Sequence, residues 1–115
     1  MLRGEVRMVA LDPARGGESN KSRPVVLVSN DAANATAARL GHGVLTVVPV
    51  TSNVERVHPF QVLLEADAGG LGQDSKAQAE QVRSIDVSRI GERLGSLSGE
   101  QMQALDGALR LHLAL

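Results

Sequence analysis

Arg23, the Thr51-Ser52-Asn53 triplet, Glu18 and the cluster Glu80-Gln81-Arg83 are the residues of this chain whose types could do chemistry together. A guanidinium and hydroxyls can hold the oxygens of a phosphoryl group and stabilise the charge that grows on them. A carboxylate can accept the proton of a ribose 2′-OH. Such a set suits phosphoryl chemistry that needs no metal. Arg23 stands at the root of an apolar run, Val25 to Val28, behind the polar loop 12–22. That anchorage gives a planar guanidinium a fixed direction, which matters when it must meet phosphate oxygens. A solvated charge at a strand end would read the same way, and most soluble proteins carry residues of these types.

Other chemistries find less in the chain. It has no cysteine, which removes disulfides, thiolate metal sites and cysteine nucleophiles. His42, His58 and His112 have no metal-like spacing, and neither an HExxH nor a DxDxDG pattern occurs. His42 and His58 flank the central strand and could form an acid–base pair, although loop histidines are more often solvated. Gly16-Gly17 and GGLG at 69–72 lack the spacing of phosphate-binding loops and read as turns. No serine sits in a GxSxG elbow. No cofactor is expected. Phe60 is the only aromatic of the tyrosine, tryptophan and phenylalanine class, so a base-stacking platform is not expected either.

The elements that must position these residues are short. EVRMVAL at 5–11 reads as a strand that Asp12-Pro13 ends. Pro24 opens a second strand, where its missing N–H does least harm. Asn30-Asp31 caps a short helix through AANATAARL, which Gly41 and Gly43 stop. Val44 to Val50 is a strong strand, and Pro49 within it reads as a kink that re-aims Thr51 and Ser52. Phe60 to Glu65 is a fourth strand. Residues 75–86 have helical composition but poor periodicity. Asp86 to Arg89 reads as one turn, and Ile90 to Leu97 as a strand interrupted by Gly91 and Gly95. Ser98 and Gln101 have capping-box spacing. Met102, Leu105, Leu109 and Leu113, with Ala108, then make the apolar face of a C-terminal helix.

A length of 115 residues suits a single domain over 1–115, with a core built from Val, Leu and Ala. Net charge is −1. Residues 1–23 are basic and the segment after residue 60 is acidic, which allows a local nucleic-acid site without general stickiness. MLRGEVRM has no signal-like apolar run, and Val44 to Val50 falls far short of the ~20 residues that span a bilayer. A cytoplasmic protein is expected.

RGEV, LDPARGGE at 11–18, RPVVLVSND at 23–31, VPVTSN at 48–53 and AEQVRSID at 79–86 occur in the order and spacing of one family. Together with the C-terminal helix, they resemble the MazF/PemK toxins of type II toxin–antitoxin systems over nearly the full length. The resemblance implies a mainly β fold with α: a small SH3-like barrel of the CcdB/PemK type, with a strongly curved antiparallel sheet, a short helix after the second strand and a C-terminal helix. It implies a homodimer, a heterohexamer with a cognate antitoxin, and metal-independent endoribonuclease activity on single-stranded RNA that leaves 2′,3′-cyclic phosphate and 5′-OH ends. On this basis Arg23, Thr51 and Glu80 are the expected catalytic residues. Glu18, Lys21, Ser52, Asn53, Gln81 and Arg83 are expected to support RNA. Residues 76–82 should then be a strand. Arg7 departs from the family pattern, which often has an aromatic there, and bears either on RNA contact or on edge packing. The alternative is a same-fold toxin that binds DNA gyrase, as CcdB proteins do, without cutting RNA. Those rely on a C-terminal tryptophan, and this chain ends LHLAL.

Overall fold

Val25, Val26 and Leu27 form an unbroken apolar run because both faces of their strand are buried. In the computed structural model, which describes residues 1–10 and 22–115, that strand lies inside a seven-stranded antiparallel sheet. The strands are β1 (Glu5–Ala10), β2 (Ser22–Leu27), β3 (Val44–Thr51), β4 (Gln61–Leu64), β5 (Ser75–Gln78), β6 (Arg83–Asp86) and β7 (Ile90–Ser96), with helices α1 (Asp31–Leu40) and α2 (Gly99–Leu113). The order is β4-β5-β3-β2-β1-β7, and β6 pairs with the first half of β3.

Side chains alternate across a strand, so β2 and β3 feed two cores. Val26, Val48 and Val50 join Val6, Leu64, Ala77 and Leu97 beneath Leu105 and Ala108 of α2. Val25, Leu27, Leu45 and Val47 join Val9, Ile85 and Val87, with Ala37 of α1. Full burial of each such valine or leucine contributes roughly 1.5–3 kcal/mol. The apolar stripe expected on α2 is shorter than its spacing implies. Leu105 and Ala108 are buried and Met102 and Leu109 pack against them, but Leu113 is 48% exposed.

Local signals hold at the helix ends. Asn30 Oδ1 accepts from Ala33 N at 2.8 Å, and Gly41 closes α1 in the left-handed region. Ser98 and Gln101 form both halves of the capping box, at 3.1 and 2.8 Å. A pairing that the sequence did not announce holds α1 to the sheet. The fully buried Asn34 receives the Ser29 hydroxyl proton on Oδ1 and donates to the Ser29 carbonyl. Arg3 joins three elements: its N–H donates to Asp31, its Nε to the Val28 carbonyl, and its guanidinium meets Asp106 of α2.

Residues 75–86 are neither one helix nor the single strand expected over 76–82. They form β5, a 3₁₀ turn at Ala79–Gln81, and β6. Both strands pair with β3, first Val50 and Thr51 with β5, then Val44 to Val47 with β6. Pro49 falls between the two, and β3 runs through it without interruption. The bond from Val28 N to Thr46 O sets the alternation, so Pro49 directs its ring nitrogen away from β2. Its missing N–H therefore faces the gap where β3 changes partners. The other proline has a different effect. In the same register Pro24 stands opposite Val50 and lacks the N–H that would reach the Val50 carbonyl; pairing ends at Val25 and Pro49.

The GGLG stretch is a close backbone approach. A Cβ on Gly70 would stand 2.2 Å from the Leu94 carbonyl oxygen of β7. Gly91 and Gly95 do not break β7, which is continuous.

Candidate active site

A cavity of about 380 Å³ opens where β2 and β3 stop pairing. Arg23, Thr51 and Ser52 line one side, Gln73 and Ser75 the other, and Pro24, Val50 and Leu71 supply its apolar surface. The register that pairs Val25 with Pro49 sets Arg23 opposite Thr51 when continued by two residues. Arg23 pairs with Val9 of β1 through its backbone, while its exposed side chain makes no hydrogen bond or ion pair with another described residue. Its guanidinium can present donors to an anion at the cavity.

Thr51 is half-buried at the end of β3. Its Oγ1 accepts from Asn53 N at 3.2 Å, and Asn53 Oδ1 accepts from Glu55 N at 3.2 Å. These two side-chain turns fix the backbone after the strand and leave the threonine proton available for donation. Ser75 Oγ, in contrast, donates to the Gln73 carbonyl.

Glu80 does not line this cavity. Its Oε2 accepts from Gln61 Nε2 at 2.5 Å, and its Oε1 is buried without a partner. Gln61 in turn accepts from His58 N at 3.0 Å. Gln81 is exposed beside Glu80, and Arg83 is exposed on β6 opposite Val47. Within one chain, then, Arg23, Thr51 and Ser52 come together, Asn53 supports the turn, and Glu80, Gln81 and Arg83 stand apart from the cavity. Glu18 and Lys21 lie outside the described residues.

The histidines form no acid–base pair at the cavity, which none of them lines. His42 is exposed, whereas His58 is half-buried and stacks on Phe60 at 5.0 Å, with His112 at 6.4 Å from the same ring. Among the described residues, no group of three or more histidines and carboxylates is placed to hold a metal. Arg7 turns to its own sheet edge. It donates to Glu5 Oε1 at 2.8 and 3.0 Å and to the Gly91 carbonyl. Burial pushes the Glu5 carboxyl up, but the bonds from Arg7 and the Leu2 backbone and the nearby positive charge outweigh it and hold the group below its ordinary range. Asp86 is also lowered, by hydrogen bonds from the Ser88 hydroxyl and N–H.

Gln73 and Ser75 were missed because their place depends on β5 pairing with the far end of β3, which no local pattern announces. Lys76, the cross-strand partner of Thr51, was missed too. A lysine between Ser75 and Ala77 in an alternating stretch was the only signal.

A family model described as the PemK-like, MazF-like toxin of type II toxin–antitoxin systems matches residues 2–113. The chain belongs to that family. Endoribonuclease MazF9 of Mycobacterium tuberculosis is 60% identical to it over 100% of this chain and 98% of its own length. The structure of MazF from Deinococcus radiodurans superposes with a TM-score of 0.77 at 28% identity, over 100% of this chain and 97% of that one. The MazE–MazF structure (Form-II) from the same organism has a TM-score of 0.80 at 26% identity, over 100% and 96%. The strongly curved sheet with its two helices is the fold of these toxins. The gyrase-binding alternative gains no support from these similarities.

Proposed function

We propose that this family member is the toxin of a type II toxin–antitoxin pair and acts as an endoribonuclease on single-stranded RNA. It shares 60% of its residues with an endoribonuclease over its whole length. The observation that carries the chemistry is the pairing of an exposed arginine with a positioned threonine across one cavity.

The ribose 2′-oxygen attacks its own 3′-phosphorus in line. The 2′-O–P bond forms as the P–O5′ bond breaks, and the products are a 2′,3′-cyclic phosphate and a 5′-hydroxyl. Arg23 and the Thr51 hydroxyl donate to the non-bridging oxygens, whose charge grows in the transition state. The 2′-OH proton leaves to a base and a proton reaches the departing O5′. Arg23 is suited to the second task and poorly suited to the first, because a guanidinium stays protonated. No carboxylate of the described residues lines the cavity. Glu18, which precedes Arg23 in the chain and lies outside the described residues, is therefore the acceptor we favour, and Glu80 acts by holding Gln61. Lys21, Ser52, Asn53, Gln81 and Arg83 provide contacts along the RNA outside the reacting phosphate.

We place RNA between two copies of a homodimer in the cytoplasm. A cognate antitoxin segment covers the same groove in a heterohexamer. No described helix is long and apolar enough to cross a membrane. The test is incubation of purified protein with single-stranded RNA in EDTA. Discrete fragments with cyclic 3′ ends are expected. Intact RNA, or fragments with 3′-hydroxyls, overturns the reading.

A further inference from the structure

Lys76 is 9% exposed, and its ammonium donates to the Arg56 carbonyl at 2.5 Å. No carboxylate of the described residues forms an ion pair with it. Burying an ammonium without a counter-ion is costly, so a single carbonyl acceptor is a thin return unless the contact has another use.

The topology gives that use. β3 and β4 are both antiparallel to β5, so they run parallel to each other on its two sides. The chain leaves β3 at Thr51, opposite Lys76, and enters β4 at Gln61, opposite Gln78. Residues 52–60 must therefore travel back across β5 to connect them. Parallel neighbours are usually joined by a longer crossover that contains a helix, and this one has none. It is held from below at two places. Gln61, itself fixed by Glu80, receives His58 N at the far end. Lys76 receives the middle of the crossover through Arg56.

Lys76 also shares a face with the reacting groups. Thr51 and Lys76 are direct cross-strand partners, and the β2–β3 register, continued past its last pair, sets Arg23 on the other side of Thr51. Paired strands stand ~4.8 Å apart, so Lys76 rises from the strand directly beside Thr51, while Arg23 lies across the open end of the β2–β3 ladder. The crossover begins at Thr51, and its first turn uses the threonine oxygen as acceptor. Slack in the middle of the crossover passes directly into the direction of that hydroxyl.

We propose that Lys76 is a positioning residue for RNA cleavage: it pins the 52–60 crossover through the Arg56 carbonyl and so holds Thr51 in place for the phosphate. The proposal rests on the endoribonuclease reading for its kinetic arm only. Lys76→Met keeps the length of the stem and removes both donor and charge, while Lys76→Arg keeps both. Hydrogen exchange on the intact protein tests the pin without any activity. Lys76→Met should speed exchange at the Asn53 and Glu55 amides, and Lys76→Arg should restore protection. On single-stranded RNA, Lys76→Met should lower kcat by about tenfold to a hundredfold, as small misplacements of reacting groups do. KM should stay within about twofold, with kcat largely recovered in Lys76→Arg. Unchanged exchange at Asn53 and Glu55 in a folded Lys76→Met protein overturns the proposal. So does an unchanged kcat beside an active wild type. If Lys76→Met does not fold, the Lys76→Gln variant takes its place in both assays. If the wild type leaves RNA intact, the enzymatic reading fails and the exchange result alone decides the role of Lys76.

Discussion

Arg23 and Thr51 face each other across the end of the β2–β3 ladder, in the cavity that begins where Pro24 withholds its hydrogen bond from Val50. Had the ladder continued, the two side chains would stand over a closed sheet. Because it stops, there is room between them for a phosphate. The proline next to Arg23 thus does more than orient the arginine; it helps open the site the arginine serves.

The Arg23 side chain makes no hydrogen bond or ion pair with another described residue, and its place in the β1–β2 ladder is held by backbone alone. Arg23→Ala should lower kcat by about 10²–10³-fold, the usual loss for one charge-stabilising donor. Its thermal unfolding should match the wild type. Arg23→Lys should recover little, since an ammonium cannot present two parallel donors. A Tm fall of more than a few degrees would reassign Arg23 to the fold.

Glu80 holds Gln61, and Gln61 holds the backbone at His58. Glu80→Gln should keep cleavage within about fivefold, whereas loss of a general base costs about 10²–10⁴-fold. Glu80→Ala should lower stability, because it leaves the buried Gln61 amide without its acceptor. Steady-state cleavage of a short RNA separates the two roles: a hundredfold loss in Glu80→Gln would restore Glu80 as proton acceptor.

Glu5 is held below its ordinary value of 4.5 against burial, through Arg7 and its neighbours. Its folded pKa lies below the unfolded one, so its stabilisation is complete above the unfolded pKa. That stabilisation is lost as pH falls through the folded value. Urea unfolding between pH 7 and pH 3 should show a steeper acid loss in the wild type than in Glu5→Gln. Parallel curves would mean that the carboxylate contributes nothing in the acid limb.

Gly70 has φ +76°, and a Cβ there meets the Leu94 carbonyl, while Gly72 has φ +81° with open space around it. Gly70→Ala should cost more than about 2 kcal/mol, from strain and collision together. Gly72→Ala should cost only the ~1–2 kcal/mol of the left-handed conformation. Equal losses in urea denaturation would show that the approach to β7 relaxes freely.

What the sequence made legible was local. The capping box at Ser98 and Gln101, the Asn30 cap and the strand behind Arg23 each depend on residues a few positions apart. The toxin-family motifs made the fold and the Arg23–Thr51 pair readable as well. Residues 75–86 were not, because their state is decided by β3, which offers one partner site on each side of Pro49. The surroundings of Glu80 were not legible for a similar reason. Its place in the motif says nothing of Gln61, nineteen positions earlier in the chain, which takes up its carboxylate. Lys76 carried no motif at all; its meaning lies in a crossover that only the order of strands reveals.

That strand order also sets how much of the chain the cavity requires. A chain that ends after Thr51 contains both Arg23 and Thr51. It lacks the opposite wall, since Leu71, Gln73 and Ser75 come later, and it lacks the strand on which the crossover rests. A chain cut short before residue 76 therefore carries the two reacting side chains without the support that aims them. The cavity is walled on both sides only in a chain long enough to lay β5 between β3 and β4.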